Sequence, residues 1–300
     1  MSLSPLIPTN NNAKVMLKIV SPRRFGGHLS LQNDLLSTIR QTESSLGTDC
    51  KCIQVFLAPP TTYGCRTLQQ EDKDKTLKYC LQHDKTFYIH CPYIANLAKI
   101  DAEKSVSVIS KSLTQIKGLP GSCVLHIGKV GTIENVCARV NELCSSGILQ
   151  KNGHHRIKEQ LLLETSAGQG TELGKTWEEI RHLFEGLDKS CVGLCLDTQH
   201  LFASGMSKLQ THEDIVKIFD MAESVGNGVK MIHLNDSDRE FGSRVDRHQA
   251  LKRGFIWSNV ENQEGLTSLI KRCTSDGIDM ISESEPLSDH AVVKSIGCCP

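Results

Sequence analysis

Six short apolar runs in this chain each deliver one residue able to bind a metal or carry a proton. F-Y-I (87–89) leads into His90, C-V-L (123–125) into His126, Q-L-L-L (160–163) into Glu164, V-G-L-C-L (192–196) into Asp197 and K-M-I (230–232) into His233. After I-D-M-I (278–281) a single serine intervenes before Glu283. Three more candidates lie just beyond two of these ends: His200 in L-D-T-Q-H, and Asp246 and His248 in the polar stretch that follows His233. In extended backbone, residues i and i+2 point the same way, so Asp246 and His248 can converge on one cation. A lone histidine after an apolar run is ordinarily a core or surface residue, but six metal-competent residues placed by one period need another cause. Nine such donors exceed what one ion takes, since zinc prefers about four N, O or S ligands, so two or three divalent ions are expected. Five histidines and no cysteine among the nine favour zinc or manganese over calcium or magnesium. Such a cluster suits phosphodiester hydrolysis, because ions activate water and neutralise both the attacking and the leaving oxygen.

The elements that must position these residues follow from the same runs. With V-M-L-K-I-V (15–20) and C-I-Q-V-F-L (52–57) added, eight runs recur, mostly 32 to 38 residues apart, each trailed by a helix-compatible segment. Regular alternation of buried strand and amphipathic helix predicts a parallel sheet, and eight β-α units close into a (β/α)8 TIM barrel. Predicted helices cover 33–45, 68–83, 104–117, 133–146, 176–187, 212–225 and 265–275, and Thr176 with Glu179 fits a capping box. The interval from the seventh run to the eighth is longer, about 48 residues, which predicts an elaborated loop after strand 7. Loops after the strands form the active face of such barrels. The expected organisation is a flexible leader over 1–13, one barrel domain over 14–290 and a C-terminal tail over 291–300.

Composition narrows the classes. Basic and acidic side chains balance at 34 each, so any DNA contact must come from a local basic surface and not from bulk attraction. Thirteen scattered cysteines, without a C-x-x-C pair, read as buried reduced thiols and not as a disulfide framework or zinc ribbon. No secretion signal and no run near the ~18 apolar residues of a membrane span is present, so an intracellular protein, cytoplasmic or nuclear, not secreted, is expected. The acidic run Asp236, Asp238, Glu240 fails as a calcium loop, with Gly242 one position late and Arg247 at position twelve.

Three motifs, L-E-T-S-A-G-Q-G (163–170), L-C-L-D-T-Q-H-L-F-A-S-G (194–205) and H-L-N-D-S-D-R-E-F-G-S-R-V-D-R-H (233–248), resemble the endonuclease IV family of apurinic/apyrimidinic endonucleases over about residues 15 to 285. The resemblance implies a base-excision-repair hydrolase with three Zn(2+) per chain that cuts double-stranded DNA 5′ to an abasic site, leaving a 3′-hydroxyl and a 5′-deoxyribose phosphate. Carried over by position, His90, His126 and Glu164 would hold the first ion, Glu164, Asp197, His233 and Glu283 the second, and His200, Asp246 and His248 the third. Glu164, Glu283 and His200 are the expected catalytic residues. Tyr93 and Ile94 match residues that wedge into the duplex, and Arg244 and Arg247, with Lys252 and Arg253 nearby, are candidates for phosphate contact. The resemblance departs after strand 2, where an apolar, proline-rich F-L-A-P-P-T-T-Y-G-C-R replaces a polar arginine-bearing loop; Arg66 or Tyr63 is the candidate substitute. Glu285 rivals Glu283 as a ligand, and Glu283 is preferred for lying nearer the strand end. A monomer is expected. The alternative function is a xylose-isomerase-like sugar isomerase or epimerase, which needs one or two ions.

Overall fold

The computed structural model describes residues 24–150, 158–225 and 228–296. Eight parallel strands close into a barrel: β1 (Phe25–Leu29), β2 (Cys52–Val55), β3 (Thr86–His90), β4 (Cys123–His126), β5 (Leu161–Glu164), β6 (Val192–Asp197), β7 (Val229–His233) and, after a short antiparallel pair β8 (Asp236–Ser237) and β9 (His248–Gln249), β10 (Asp279–Ser282). The helices are α1 (Leu35–Leu46), α2 (Gln70–His83), α3 (Glu103–Ile116), α4 (Ile133–Ser145), α5 (Trp177–Glu185), α6 (Thr198–Ser204), α7 (His212–Ser224), α8 (Gln263–Asp276) and α9 (Pro286–Ile296). This is the predicted (β/α)8 barrel. No helix among the described residues is long and apolar enough to cross a membrane.

Side-chain alternation divides the strands into two faces. Ile53, Val55, Phe87, Ile89, Leu163, Leu194 and Ile232 join the main core with the helices. Cys52, Tyr88, Val124, Leu162, Cys195, Met231 and Ile281 form a separate cluster inside the barrel. The residue two places further along each of those seven strands therefore also faces inward, one layer nearer the C-terminal mouth: Gln54, His90, His126, Glu164, Asp197, His233 and Glu283. Register completes the ring, since Gly26 pairs with Cys52 and His28 with Gln54.

Four expectations are corrected. The first described strand is Phe25–Leu29, while the run at 15–20 and the expected leader lie outside the described residues. F-G-G-H-L escapes the apolar pattern because β1 needs glycine: a Cβ on Gly26 would sit 1.5 Å from the Cys52 carbonyl oxygen. Helix α9 continues past 290, and its Val293 is buried in the core, so the barrel domain runs beyond the predicted boundary. Thr176 accepts from the Glu179 amide as predicted, but the Glu179 carboxylate accepts from the Gly174 and Lys175 amides instead of closing the box; the reciprocal box is Thr211 with Asp214. Short α6 is absent from the predicted pattern, because it starts without a loop directly on β6.

Candidate metal centre

All nine predicted donors meet at the mouth of the barrel. Glu164, at the end of β5, is the hub. Its Oε2 lies 3.3 Å from both His90 Nε2 and His126 Nε2, and its Oε1 lies 2.9 Å from His233 Nδ1 and 3.5 Å from His200 Nδ1. His233 Nδ1 is 3.4 Å from Glu283 Oε2 and 3.9 Å from Asp197 Oδ2. Four sets of three or four donors each have ligand atoms within 4.8 Å of one another: His90, His126 and Glu164; His90, His233 and Glu283; Asp197, His200 and His248; and Glu164, Asp197, His233 and Glu283.

Local structure explains how the chain achieves this. Asp197 ends β6 and caps α6, taking the His200 amide on Oδ1 at 2.9 Å, so the first turn of α6 carries His200 back over the mouth. The long loop after β7 folds through the β8–β9 pair. Buried Asp236 ties it together by accepting the amides of Ser237, Lys252 and Ile256 at 2.8 to 3.0 Å. This brings Asp246 and His248 to the site, with Asp246 Oδ1 3.3 Å from His248 Nε2 and 3.5 Å from His200 Nε2. His248 Nε2 is also 3.7 Å from Asp197 Oδ2.

The residues fit divalent ions. Two donors on one tetrahedral ion, each at about 2.0–2.2 Å, lie roughly 3.3–3.5 Å apart, which is the spacing of the His90, His126 and His200 contacts to Glu164 and of both contacts to Asp246. His233 sits closer to Glu164, at a hydrogen-bond distance of 2.9 Å. His248 Nε2 is buried without a hydrogen-bond partner, which leaves a nitrogen between two carboxylates with nothing else to satisfy it. The ionisable groups are strongly interdependent: burial lowers His200 and His233, but the surrounding acidic groups outweigh it and raise both well above the ordinary imidazole value, so an ion binding there displaces their protons. Burial pushes His126 down to about 4, so its ring is neutral and keeps a lone pair. Burial also pushes Glu164 up, but the imidazoles of His126 and His233 outweigh it and hold the carboxyl well below the usual range. Asp246 is likewise held below its ordinary value, against burial, by the hydrogen bond and charge of His200. His200 Nδ1 rests 2.7 Å from the Thr165 carbonyl, and His90 Nδ1 2.7 Å from that of Cys91, each orienting its ring.

Around the rim, Tyr93 is 50% exposed and stands edge-on to His90 and His126 at ring distances of 5.5 and 5.6 Å. Ile94 is half-buried beside it, and the Tyr63 hydroxyl donates to the Ile94 carbonyl at 3.3 Å. Tyr63 therefore buttresses the expected wedge, whereas Arg66 is folded back onto the carbonyls of Gln32 and Asn33. A cleft of about 540 Å³ opens between the loops after β1 and β2 and reaches His248 and Glu283. Arg244 and Arg247 lie on the long loop, and the Arg247 guanidinium donates to the Asp246 carbonyl. Arg253 instead pairs with Glu285 at 3.1 Å. That pair holds Glu285 at the surface and leaves Glu283 as the carboxylate in the centre.

His28, Gln54 and Asn235 are the residues at the centre that sequence spacing does not flag. Asn235 donates to Asp197 Oδ2 at 2.8 Å and to Glu283 Oε2 at 3.3 Å, and accepts the Glu283 amide at 3.0 Å. His28 Nδ1 lies 3.1 Å from Glu283 Oε1. The available signal is parity: a glutamine in the inward layer of an otherwise apolar strand has no apolar reason to be there.

Comparison with known proteins follows the same lines. Residues 44–292 match the family described as xylose isomerase-like TIM barrel. The chain is 27% identical over 277 residues to "Probable endonuclease 4" of Symbiobacterium thermophilum, covering 89% of this chain and 95% of that protein. It is 30% identical over 241 residues to "Probable endonuclease 4" of Methanosphaera stadtmanae, covering 77% and 84%. Among solved structures, endonuclease IV from Thermus thermophilus is similar with a TM-score of 0.73 and 26% identity, over 91% of this chain and 98% of that one. A D-tagatose 3-epimerase-like protein shares the fold with a TM-score of 0.63 at 16% identity, over 91% and 95%.

Proposed function

The chain belongs to the endonuclease IV family, and from that premise we propose that it is a zinc-dependent AP endonuclease of base excision repair. Its reaction is hydrolysis of the phosphodiester 5′ to an abasic site in double-stranded DNA, giving a 3′-hydroxyl and a 5′-deoxyribose phosphate. The observation that supports this most is the convergence of four imidazoles on the two oxygens of Glu164, with further donors around them. Three zinc ions held there would supply an activated water at neutral pH and neutralise charge on both oxygens of the displacement.

The chain's own residues divide the work. His90, His126 and Glu164 would hold the first ion, and Glu164 would be shared with a second completed by Asp197, His233 and Glu283. His200, Asp246 and His248 would hold the third, with Asp197 Oδ2 close enough to His248 to be shared. Glu164, Glu283 and His200 would then be the residues that act at the reacting phosphate. Tyr93 and Ile94 fill the gap where a base is missing; unstacking costs least there. Arg244 and Arg247 meet backbone phosphates and orient the duplex. The enzyme acts as a monomer in the cytoplasm or nucleus.

The test is direct. Zinc-replete protein should nick a duplex carrying one tetrahydrofuran abasic mimic and spare the matched intact duplex; failure to nick the mimic would refute the proposal. The sugar isomerase reading needs only one or two ions, for which the set Glu164, Asp197, His233 and Glu283 suffices, and otherwise rests on the shared barrel. Elemental analysis near three zinc ions per chain separates the two, because the isomerase chemistry needs one or two.

A further inference from the structure

Gln54 lies on β2 in the same inward layer as the candidate ligands, fully buried, and belongs to none of the donor sets. Its amide touches three of its neighbours in the ring. Gln54 Nε2 donates to Glu283 Oε1 at 2.8 Å and faces His28 Nδ1 at 3.0 Å, while Gln54 Oε1 lies 3.0 Å from His233 Nε2. The amide has one orientation open to it. A carboxylate oxygen at 2.8 Å only accepts, so the NH₂ group must face Glu283 and the carbonyl must face His233. A carbonyl accepts as well, so His233 must carry its hydrogen on Nε2. Its Nδ1 lies 2.9 Å from Glu164 Oε1 and faces Glu283 and Asp197; with Nε2 committed to Gln54, Nδ1 is the nitrogen that gives up its hydrogen when an ion binds. The same bond occupies Glu283 Oε1 and turns Oε2, the oxygen nearer His233 and His248, toward the ions.

We infer that Gln54 is a positioning residue that sets the tautomer of His233 and the coordinating oxygen of Glu283 together, and so governs occupancy of the ion those two residues share. The inference rests on the metal-centre reading given above. One buried amide on β2 thus links His233 at the end of β7 with Glu283 just after β10. Outer partners of this kind typically change metal affinity about 10- to 100-fold when removed. The apolar volume of a methionine matches a glutamine closely, so Gln54→Met removes the hydrogen bonds with little change in packing. Gln54→Glu keeps an acceptor for His233 and sets a second carboxylate against Glu283.

The experiment is competition for zinc between the protein and a chromophoric chelator, on wild type and both variants, with circular dichroism and thermal midpoints of the metal-free proteins as folding controls. Wild type should hold about three zinc ions. In Gln54→Met one of them should bind about 10- to 100-fold more weakly while the other two are affected less than about threefold. Gln54→Glu should weaken the same ion at least as much. If both folded variants hold all three ions within about twofold of wild type, Gln54 is a packing residue and the inference is overturned while the metal-centre reading stands. If Gln54→Met does not fold, Gln54→Glu decides by the same criterion. Wild-type protein that binds no zinc overturns both.

Discussion

Nitrogens from four histidines approach the two oxygens of Glu164 to between 2.9 and 3.5 Å, with every one of those groups mostly or wholly buried. An isolated carboxylate would not stay ionised there, and it does so only because imidazoles surround it. Glu164→Gln keeps the shape and removes the charge, so kcat on an abasic duplex should fall at least about 10²-fold, the scale on which one electrostatic contact to the transition state acts. Steady-state kinetics with zinc-replete protein checks this. The neighbouring glutamates give a sharper contrast. Glu283 faces His233 and His28, whereas Glu285 makes a surface pair with Arg253. Exposed pairs contribute about 0–1 kcal/mol, so Glu285→Ala should stay within about twofold of wild-type activity, while Glu283→Ala should lose about one zinc ion per chain by elemental analysis. Zinc loss from Glu285→Ala with Glu283→Ala unaffected would reverse the assignment, and equal effects would refute it.

At the scale of elements, the barrel is pinned below the site by a buried ion pair. Arg24, just before β1, donates to Asp279 on β10, to Asp84 at 2.9 Å and to the Thr86 hydroxyl at 2.6 Å, and Tyr88 donates to Asp279 Oδ2 at 2.7 Å. Removing one partner of a buried pair strands the other charge, at a cost of about 3–5 kcal/mol. Asp279→Ala should therefore lower stability by about that amount in chemical denaturation, and a change under about 1 kcal/mol would contradict the role. The same elements explain what the sequence could and could not reveal. Strands β3 to β7 and β10 are legible because each is an apolar run that ends at a polar, metal-competent residue. Strand β1 is not, since close approach to β2 demands Gly26 and dilutes the run. Gln54 hides inside an apolar strand, because spacing reports that a residue faces inward but not what it bonds to. The folds that carry Asp246 and His248 are visible only as extra length, since the turn gathered around Asp236 is made by backbone amides that no side-chain pattern records.

For the whole molecule, eleven cysteines among the described residues are free, and nine of them are buried. Burial pushes the thiols of Cys50 and Cys80 up to about 12 and that of Cys195 up to about 11, so almost no thiolate forms at neutral pH. A short iodoacetamide pulse on native protein, read by peptide mass spectrometry, should label half-buried Cys65 ahead of Cys52, Cys123 and Cys273, which should react only after denaturation. Rapid native labelling of Cys52 would show that the barrel interior opens more readily than its packing implies. The balanced charge of the chain means that, under the proposed function, substrate choice would rest on the mouth of the barrel, where the nine donors and exposed Tyr93 lie. The most direct measurement is the position and chemistry of the cut in an end-labelled duplex containing one abasic site. Zinc-replete protein should leave a single incision immediately 5′ to the lesion, with a 3′ end that a polymerase extends, and Glu164→Gln should cut far more slowly. An uncut strand, or an incision on the 3′ side, would contradict the account.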